Sequence, residues 1–408
     1  MSVLLKRRVA TLLLLSTALF LLIWVVLPPF HLHADEHIHF MQSWSFSKNR
    51  LVILEDLSTW PTLNFIVGMV IKWWPWPYGE IAAARSTVAL FAVGVAWGAF
   101  VLLERSCGTA AWIRVLQLIT LPVILPFCVL IYTDIPALCG LTWAVVGLQK
   151  RNWKLFLTAM AVAMAFRQLN IFWLTIGCIY FVSNNSTNEK YGQCDRRKVL
   201  IGGLILFLIW TVIVLKSGGI SIGEKTQGDH FLNMKGLPNI YFLFFLCFLF
   251  YSPQWLIKVY SAKFYSGIFR KIPLLGLLTV CVAVTFEVNH PSNTNVIPLF
   301  LRNNFLNMVS HGPELWIFST LSALGMMGMV AEKFSADYKP IKNYFWLAAL
   351  ASLLPLWLIE QRYYIPVLCL FMFFRQAKSL AEEWALLMVN CILSAVLLYF
   401  IAQGRYFI

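Results

Sequence analysis

Apolar runs of about 15–22 residues recur from one end of this chain to the other, and a run of that length is what an α-helix needs to cross a bilayer. The runs lie approximately at 9–27, 82–103, 113–131, 135–149, 155–183, 199–215, 239–257, 272–288, 314–331, 343–359, 363–374 and 384–402. With 60% apolar and 12% charged residues against roughly 45–50% and 25% in an ordinary soluble domain, a water-soluble globule is excluded. The fold class expected is all-α, a polytopic membrane protein of about 12 or 13 transmembrane helices, with residues 1–408 forming a single integral membrane domain. A net charge of +14 would point a soluble chain towards nucleic acid, but here basic residues report membrane sidedness first, and no nucleic-acid partner is expected.

The first run follows Lys6-Arg7-Arg8 and lacks a small-residue cleavage site behind it, so it reads as an uncleaved first helix with a cytoplasmic N-terminus. If 155–183 doubles back as two short helices, alternation puts 104–114, 150–154, 184–198, 258–271, 332–342 and 375–383 on that same side. Together with the N-terminus they hold 21 of the 32 basic residues. The bias requires the Pro- and Trp-rich stretch 59–76 to lie along the surface as an interfacial helix, which leaves a long external first loop over about residues 30–80. All seven histidines and 11 of the 18 acids then fall on the external side, where the chemistry is expected. The cytoplasmic loops are short and basic, with no GxxxxGK[ST] phosphate cradle and no dinucleotide fingerprint, which disfavours a nucleotide-driven enzyme. Only Cys107 and Cys194 of the nine cysteines lie in loops, so no external disulfide framework is available. The sequons at Asn184 and Asn185 sit in a basic cytoplasmic loop and are expected to stay unused. No internal repeat is visible.

Five segments carry candidate chemistry. His31 to His39 places the acidic pair Asp35-Glu36 among four histidines at the membrane surface; a carboxylate there suits a general base or a cation ligand, or else a solvated loop. The tight clustering lacks ordinary metal-ligand spacing, and no metal is expected. Asp134 follows Tyr132-Thr133 at a membrane edge, where burial of an acid is costly unless it is paired; helix capping would also explain it. Arg167, in Phe166-Arg167-Gln168-Leu169-Asn170, interrupts about 29 apolar residues and should face a polar cavity, an anion or a carboxylate such as Asp134. Lys216 to His230 is a Gly-rich loop that lets backbone N–H groups approach a ligand, or is simply a turn. Glu360-Gln361-Arg362-Tyr363-Tyr364 sits between two apolar runs as an interface anchor or at a cavity mouth. The loop from His290 to Gly312, with Arg302-Asn303-Asn304, is polar and uninformative alone.

Taken together these elements resemble the endoplasmic-reticulum α-1,2-glucosyltransferases that use dolichyl-phosphate glucose to add the terminal glucose of the lipid-linked oligosaccharide, within the class C (GT-C) membrane glycosyltransferases. The likeness rests on Asp35-Glu36 with His39; on Tyr132-Thr133-Asp134; on Phe166-Arg167-Gln168-Leu169-Asn170, like the family's Phe-Arg-Gln-Thr-Asn; on Gly218 to Lys225, like its Gly-Gly-Ile-Val-Ile-Gly-Asp-Arg/Lys, with His230 soon after; and on Glu360 to Tyr364, like its Glu-Phe-Arg-Tyr-Phe. The chain departs from the family in lacking a long cytoplasmic insertion at 184–198, in keeping only Leu301-Arg302-Asn303-Asn304 of a Leu-Ala-Asp-Asn-Arg-His-Tyr stretch, and in reading Leu57-Ser58-Thr59-Trp60-Pro61 where the family has Thr-Thr-Leu-Pro-Gly.

The resemblance implies an inverting, metal-independent transfer without cofactor, from a polyprenyl-phosphate sugar donor to a lipid-linked oligosaccharide acceptor, with the active site lumenal in the endoplasmic-reticulum membrane. Asp35 is the expected base with Glu36 the close alternative, and His39 positions the carboxylate. Arg167 or Arg362 is expected to stabilise the leaving lipid phosphate. Tyr132, Asp134, Gln168, Asn170, Glu224, His230, Arg302, Glu360 and Tyr363 complete the expected substrate-binding set, and membrane lipids surround a lateral entry. A GT-C enzyme using a mannose or arabinose donor is the alternative; a secondary transporter or a non-catalytic scaffold fits less well.

Overall fold

The computed structural model describes residues 3–27, 31–74, 79–183, 189–222, 235–259, 271–294 and 300–405. Within them the backbone forms α-helices and no strand, apart from one isolated antiparallel bridge between Phe334 and Arg375. In chain order the helices are α1 (Val3–Leu21, continued by a π-helical turn Leu22–Val26), α2 (Glu36–Ser47), α3 (Thr62–Trp73), α4 (Glu80–Cys107), α5 (Ala111–Ile119), α6 (Asp134–Gln149), α7 (Trp153–Phe166), α8 (Ile171–Ser183), α9 (Glu189–Ser217), α10 (Leu237–Val259), α11 (Ile272–Thr285), α12 (Pro291–Thr294), α13 (Leu301–Val309), α14 (Gly312–Ala331), α15 (Lys342–Leu353), α16 (Ile365–Phe374) and α17 (Leu380–Ala402).

Among the described residues, six stretches are long and apolar enough to cross a membrane: Val9–Val26, Glu80–Glu104, Asp195–Ser217, Leu237–Gln254, Gly312–Ala331 and Leu380–Ala402. Shorter apolar helices of 10–17 residues accompany them. A helix satisfies its own backbone hydrogen bonds, which is what a solvent without donors or acceptors demands. Leu204, Leu208, Val212 and Leu215 on α9 are exposed along a single face, as are Leu13, Leu14, Val25 and Val26 at α1 and its continuation. Such surfaces belong against lipid, and the protein is a multi-pass membrane protein.

The run 155–183 is two helices. Arg167 is extended (φ −142°, ψ 109°) and is followed by a 3₁₀ turn, Gln168–Asn170. Phe156 near the start of α7 stacks on Phe181 near the end of α8, so the two run antiparallel. The run 113–131, expected as one span, is a correction: α5 stops at Ile119, and the chain continues through turns and a 3₁₀ segment, Pro126–Cys128. Pro122 and Pro126 each lack the N–H that a helix interior needs, so the apolar character of the run outlasts its helix. Within the stretch 59–76, Thr62–Trp73 form α3, which buries Leu63, Asn64, Val67, Gly68 and Ile71 on one side and exposes Phe65, Met69 and Trp73 on the other.

The chain divides into two compact units. The first comprises residues 1–115, 124–231 and 340–352. In it α2 crosses α3 at Gly68, where a Cβ would lie 2.6 Å from the Ser43 carbonyl oxygen. Helices α6 and α7 form a close hairpin: a Cβ on Gly140 or Gly147 would come within 2.6 Å of the backbone nitrogen of Ala163 or Phe156. Asn152 caps α7 by accepting the Leu155 N–H at 3.1 Å.

The second unit comprises residues 116–123, 232–339 and 353–408. Its core is aromatic, with Phe245 stacked on Phe305 at 4.8 Å and packed on Phe318 at 5.2 Å. A fully buried polar knot ties its C-terminal part together. Arg375 donates to both oxygens of Glu383 (2.9 and 2.6 Å) and to the Gln117 amide oxygen Oε1 (2.8 Å), and Gln117 donates back to Glu383. Ser379 and Glu382 form a reciprocal capping box at the start of α17.

Candidate functional site

In the first unit the acidic loop is built around Glu36, not around its neighbour. The Glu36 carboxylate receives Arg85 Nε and Nη2 at 2.8 Å each, the backbone N–H of His33 at 3.0 Å and that of Ile131 at 3.2 Å. Both side chains of the pair are fully buried. Arg85 also donates to the His31 carbonyl at 2.7 Å. One ion pair thus binds α4, the start of α2 and the segment leading to Tyr132. A charge pair removed from solvent persists only when its lone pairs and protons are satisfied in this way. Two guanidinium donors and two backbone donors occupy Glu36, which suits it to holding the loop and not to taking a proton.

Asp35 occupies the position before α2, half-buried, and makes no capping bond with its side chain. It is presented by Ala34, whose φ of +47° lies in the left-handed region that costs a residue with a Cβ about 1 kcal/mol or more. His39, on the first turns of α2, is buried and faces Tyr132 at 5.6 Å between ring centroids. Asn64 of α3 donates to the His39 carbonyl at 2.8 Å and lies 3.4 Å from its Nδ1. Tyr132 is wholly buried against Phe127 and donates to the His33 carbonyl at 3.4 Å. Burial lowers the His33 imidazole to about 4 against the pull of Glu36, with Arg85 and His31 adding to the lowering, so this ring is neutral at neutral pH.

Asp134 is the first residue of α6 and is 5% exposed. Its Oδ1 pairs with Arg167 Nη2, while Oδ2 is buried with no hydrogen-bond partner. The break between α7 and α8 that the sequence suggests therefore sets a guanidinium on an acid with one oxygen open to a ligand hydroxyl. Gln168 donates to the Ile220 carbonyl at 3.1 Å, and Ser221 donates to the Ser58 carbonyl at 3.2 Å. The acidic loop's continuation, the arginine break and the start of the Gly-rich loop are thereby joined. Asn170 donates to the Ala163 carbonyl at 2.9 Å, which also accepts the Arg167 N–H at 3.0 Å, so it ties the 3₁₀ turn to the end of α7 and acts on the fold. Glu224 and His230 lie outside the described residues.

The second unit gathers a different group. Arg302 Nη1 and Arg362 Nε both donate to Glu360 Oε1, at 3.1 and 2.6 Å, and the three side chains are 9%, 11% and 4% exposed. Two cations thus meet one oxygen of one carboxylate. Arg302 Nε is buried with no hydrogen-bond partner. Tyr363 is 8% exposed on the 3₁₀ turn Gln361–Tyr364, and both ends of the Gln361 amide are buried without partners. A cationic, nearly dry cluster with an open guanidinium N–H suits an anion.

Sequence reasoning missed Arg85, whose signal was available: it stands one turn inside a helix that is otherwise apolar for about five turns, a costly place for an unpaired charge. It also missed Asn64, Asn293 and Asn303, which look like ordinary loop or helix polar residues until their partners are seen. Among the described residues no group of three or more His, Cys, Asp and Glu is placed to hold a metal ion.

The chain is a multi-pass helical protein with an acidic loop and an acid–arginine pair in its first unit and a cationic cluster in its second, and comparison indicates a glycosyltransferase. Residues 30–202 match the model of the DIE2/ALG10 family, which bears out the likeness drawn from the motifs and covers three of the five. No curated protein matches the chain. A similar solved structure is the crystal structure of ArnT from Cupriavidus metallidurans in the apo state, 16% identical, with a TM-score of 0.45, covering 96% of this chain and 77% of that one.

Proposed function

We propose that the chain is an inverting glucosyltransferase that moves glucose from dolichyl (polyprenyl) phosphate glucose to a lipid-linked oligosaccharide, forming the terminal α-1,2-glucose, with its active site on the lumenal side of the endoplasmic-reticulum membrane. The family to which residues 30–202 are similar supports the reaction class. Asp35 is the base. It takes the proton of the acceptor hydroxyl as that oxygen bonds to the anomeric carbon, while the bond from that carbon to the donor phosphate oxygen breaks and the lipid phosphate leaves with the electron pair. The observation that carries this assignment is the four-fold occupation of Glu36, which commits that carboxylate to fixing the loop and sets Asp35, half-buried, next to it at the start of α2.

Arg167 supplies positive charge in the same unit, and Asp134 Oδ2 accepts a sugar hydroxyl. The Arg302–Glu360–Arg362 cluster holds a phosphate of a prenyl-linked substrate, with Arg302 Nε as the open donor. No step calls for a metal ion.

The test is transfer of labelled sugar from synthetic polyprenyl-phosphate glucose, with the mannose donor in parallel, to a diglucosylated lipid-linked oligosaccharide by purified protein in EDTA. Glucose transfer by the wild type, lowered about 10²–10⁴-fold in Asp35→Asn, is expected. An Asp35→Asn rate above about a tenth of wild type moves the base elsewhere. Transfer from the mannose donor alone replaces glucose in the proposal.

A further inference from the structure

The segment that carries Glu360 and Arg362 has no regular structure before its 3₁₀ turn, yet its backbone is held at atomic register by asparagine side chains. Asn293, on the short helix α12, donates from Nδ2 to the Ile359 carbonyl at 3.0 Å and accepts the Ile359 N–H at Oδ1 at 2.9 Å. Its amide thus pairs with both peptide groups of one residue, as a neighbouring strand would. Nδ2 also donates to Asn303 Oδ1 at 3.2 Å, and Asn303 Nδ2 donates to the Ser292 carbonyl at 2.8 Å. Both asparagines are buried, at 1% and 0% exposure. Ile359 immediately precedes Glu360, and Asn303 immediately follows Arg302.

We infer that Asn293 and Asn303 are positioning residues that set the separation of Arg302 from Glu360 and Arg362, and through it the affinity of the cluster for a prenyl-linked phosphate. The inference rests on the reading of that cluster as a phosphate site. A side-chain amide has one donor edge and one acceptor edge, and here each is committed to the chain neighbours of the charged groups, not to the charged groups themselves. A guanidinium that must meet both a carboxylate and a phosphate oxygen tolerates little displacement, because charge-assisted hydrogen bonds depend on short, aligned contacts. On the other side of the same segment, Asn239 donates to the carbonyls of Leu356 and Leu358 at 3.0 and 3.1 Å and accepts from the Tyr364 hydroxyl at 2.6 Å. Asn239 therefore holds the stretch on both sides of the charged residues, and Asn293 holds the residue that immediately precedes Glu360.

The experiment compares Asn293→Ala, Asn293→Asp and Asn303→Ser with Arg302→Gln and wild type in full-length purified protein. It measures kcat, separate apparent KM values for polyprenyl-phosphate glucose and for the lipid-linked oligosaccharide, and thermal unfolding. Asn293→Asp keeps the acceptor edge for the Ile359 N–H and loses the donor edge, so it serves where the alanine variant folds poorly. Expected is a rise of about tenfold in one apparent KM, the same one that Arg302→Gln raises, with kcat changed less than that and Asn303→Ser acting in the same direction. Which KM moves tells whether the phosphate belongs to donor or acceptor. If Arg302→Gln raises one KM and none of the asparagine variants does, or if they lower thermal stability while moving both KM values equally, the positioning role is overturned and the phosphate site stands. If Arg302→Gln moves neither KM, the phosphate reading fails first.

Discussion

A carboxylate that accepts four hydrogen bonds in a dry interior has much to lose if its cation is removed. Glu36 and Arg85 are in that position, with neither side chain exposed. Removing one partner of such a pair strands the other charge, at about 3–5 kcal/mol, whereas replacing both with neutral groups of similar shape is far milder. Arg85→Met is expected to lower stability by about that amount, and Glu36→Gln/Arg85→Met to recover part of the loss. Thermal unfolding of the two single variants and the double variant in detergent checks this; strict additivity would mean that the two side chains do not act as a pair. Activity should follow stability here, because these residues hold the loop.

Among the helices, close approach is limited by a few glycines whose missing Cβ is a requirement of packing. Gly68 lets α3 cross α2 with a Ser43 carbonyl where a Cβ would sit, and a Phe46 Cβ at 2.9 Å adds a second obstacle. Gly68→Ala should therefore push the helices apart and cost about 1–3 kcal/mol. On α11, Gly276 has nothing within 4 Å of its virtual Cβ, so Gly276→Ala should cost nothing and serves as the matched control. Equal unfolding temperatures for the two variants would show that the α2–α3 crossing is looser than described. The arginine break at Arg167 was legible from sequence because a charge in an apolar run has few places to go. The end of α5 was not, since hydropathy does not register that Pro122 and Pro126 remove donors. Arg85, near the start of its apolar run, was overlooked because hydropathy averaged over the run hides a single charge. The asparagine clamp was invisible in principle: its partners are backbone atoms of Ile359, 66 residues away, and no side-chain pattern encodes them.

For the molecule as a whole, the distribution of basic residues makes a claim that can be checked by one substitution. The loop after α2 belongs, on the sequence reading, to the side opposite Asn184 and Asn185. Leu51 is 79% exposed there, and Leu51→Thr converts Asn49-Arg50-Leu51 into a glycosylation acceptor. In microsomes the variant is expected to gain one N-linked glycan at Asn49 while the native sequons stay unmodified; modification of Asn184 or Asn185 with Asn49 untouched would invert the topology. Family likeness and helix content were readable before any coordinates because motifs and hydropathy are local. That Glu36 and not Asp35 pairs with Arg85 was not, since adjacent carboxylates give no sequence signal of which one a distant guanidinium reaches.

The Glu36–Arg85 pair also sets a timetable. Its members are 49 residues apart, and at roughly 5–20 residues per second a ribosome needs about 2–10 s to make the arginine after the glutamate has emerged. For that interval the acidic loop has no clamp, and α4 must enter the bilayer before the loop can close on it. Variants at Arg85 should therefore announce themselves first during biosynthesis, as nascent chains retained by chaperones or cleared by proteases, before any mature enzyme exists to assay.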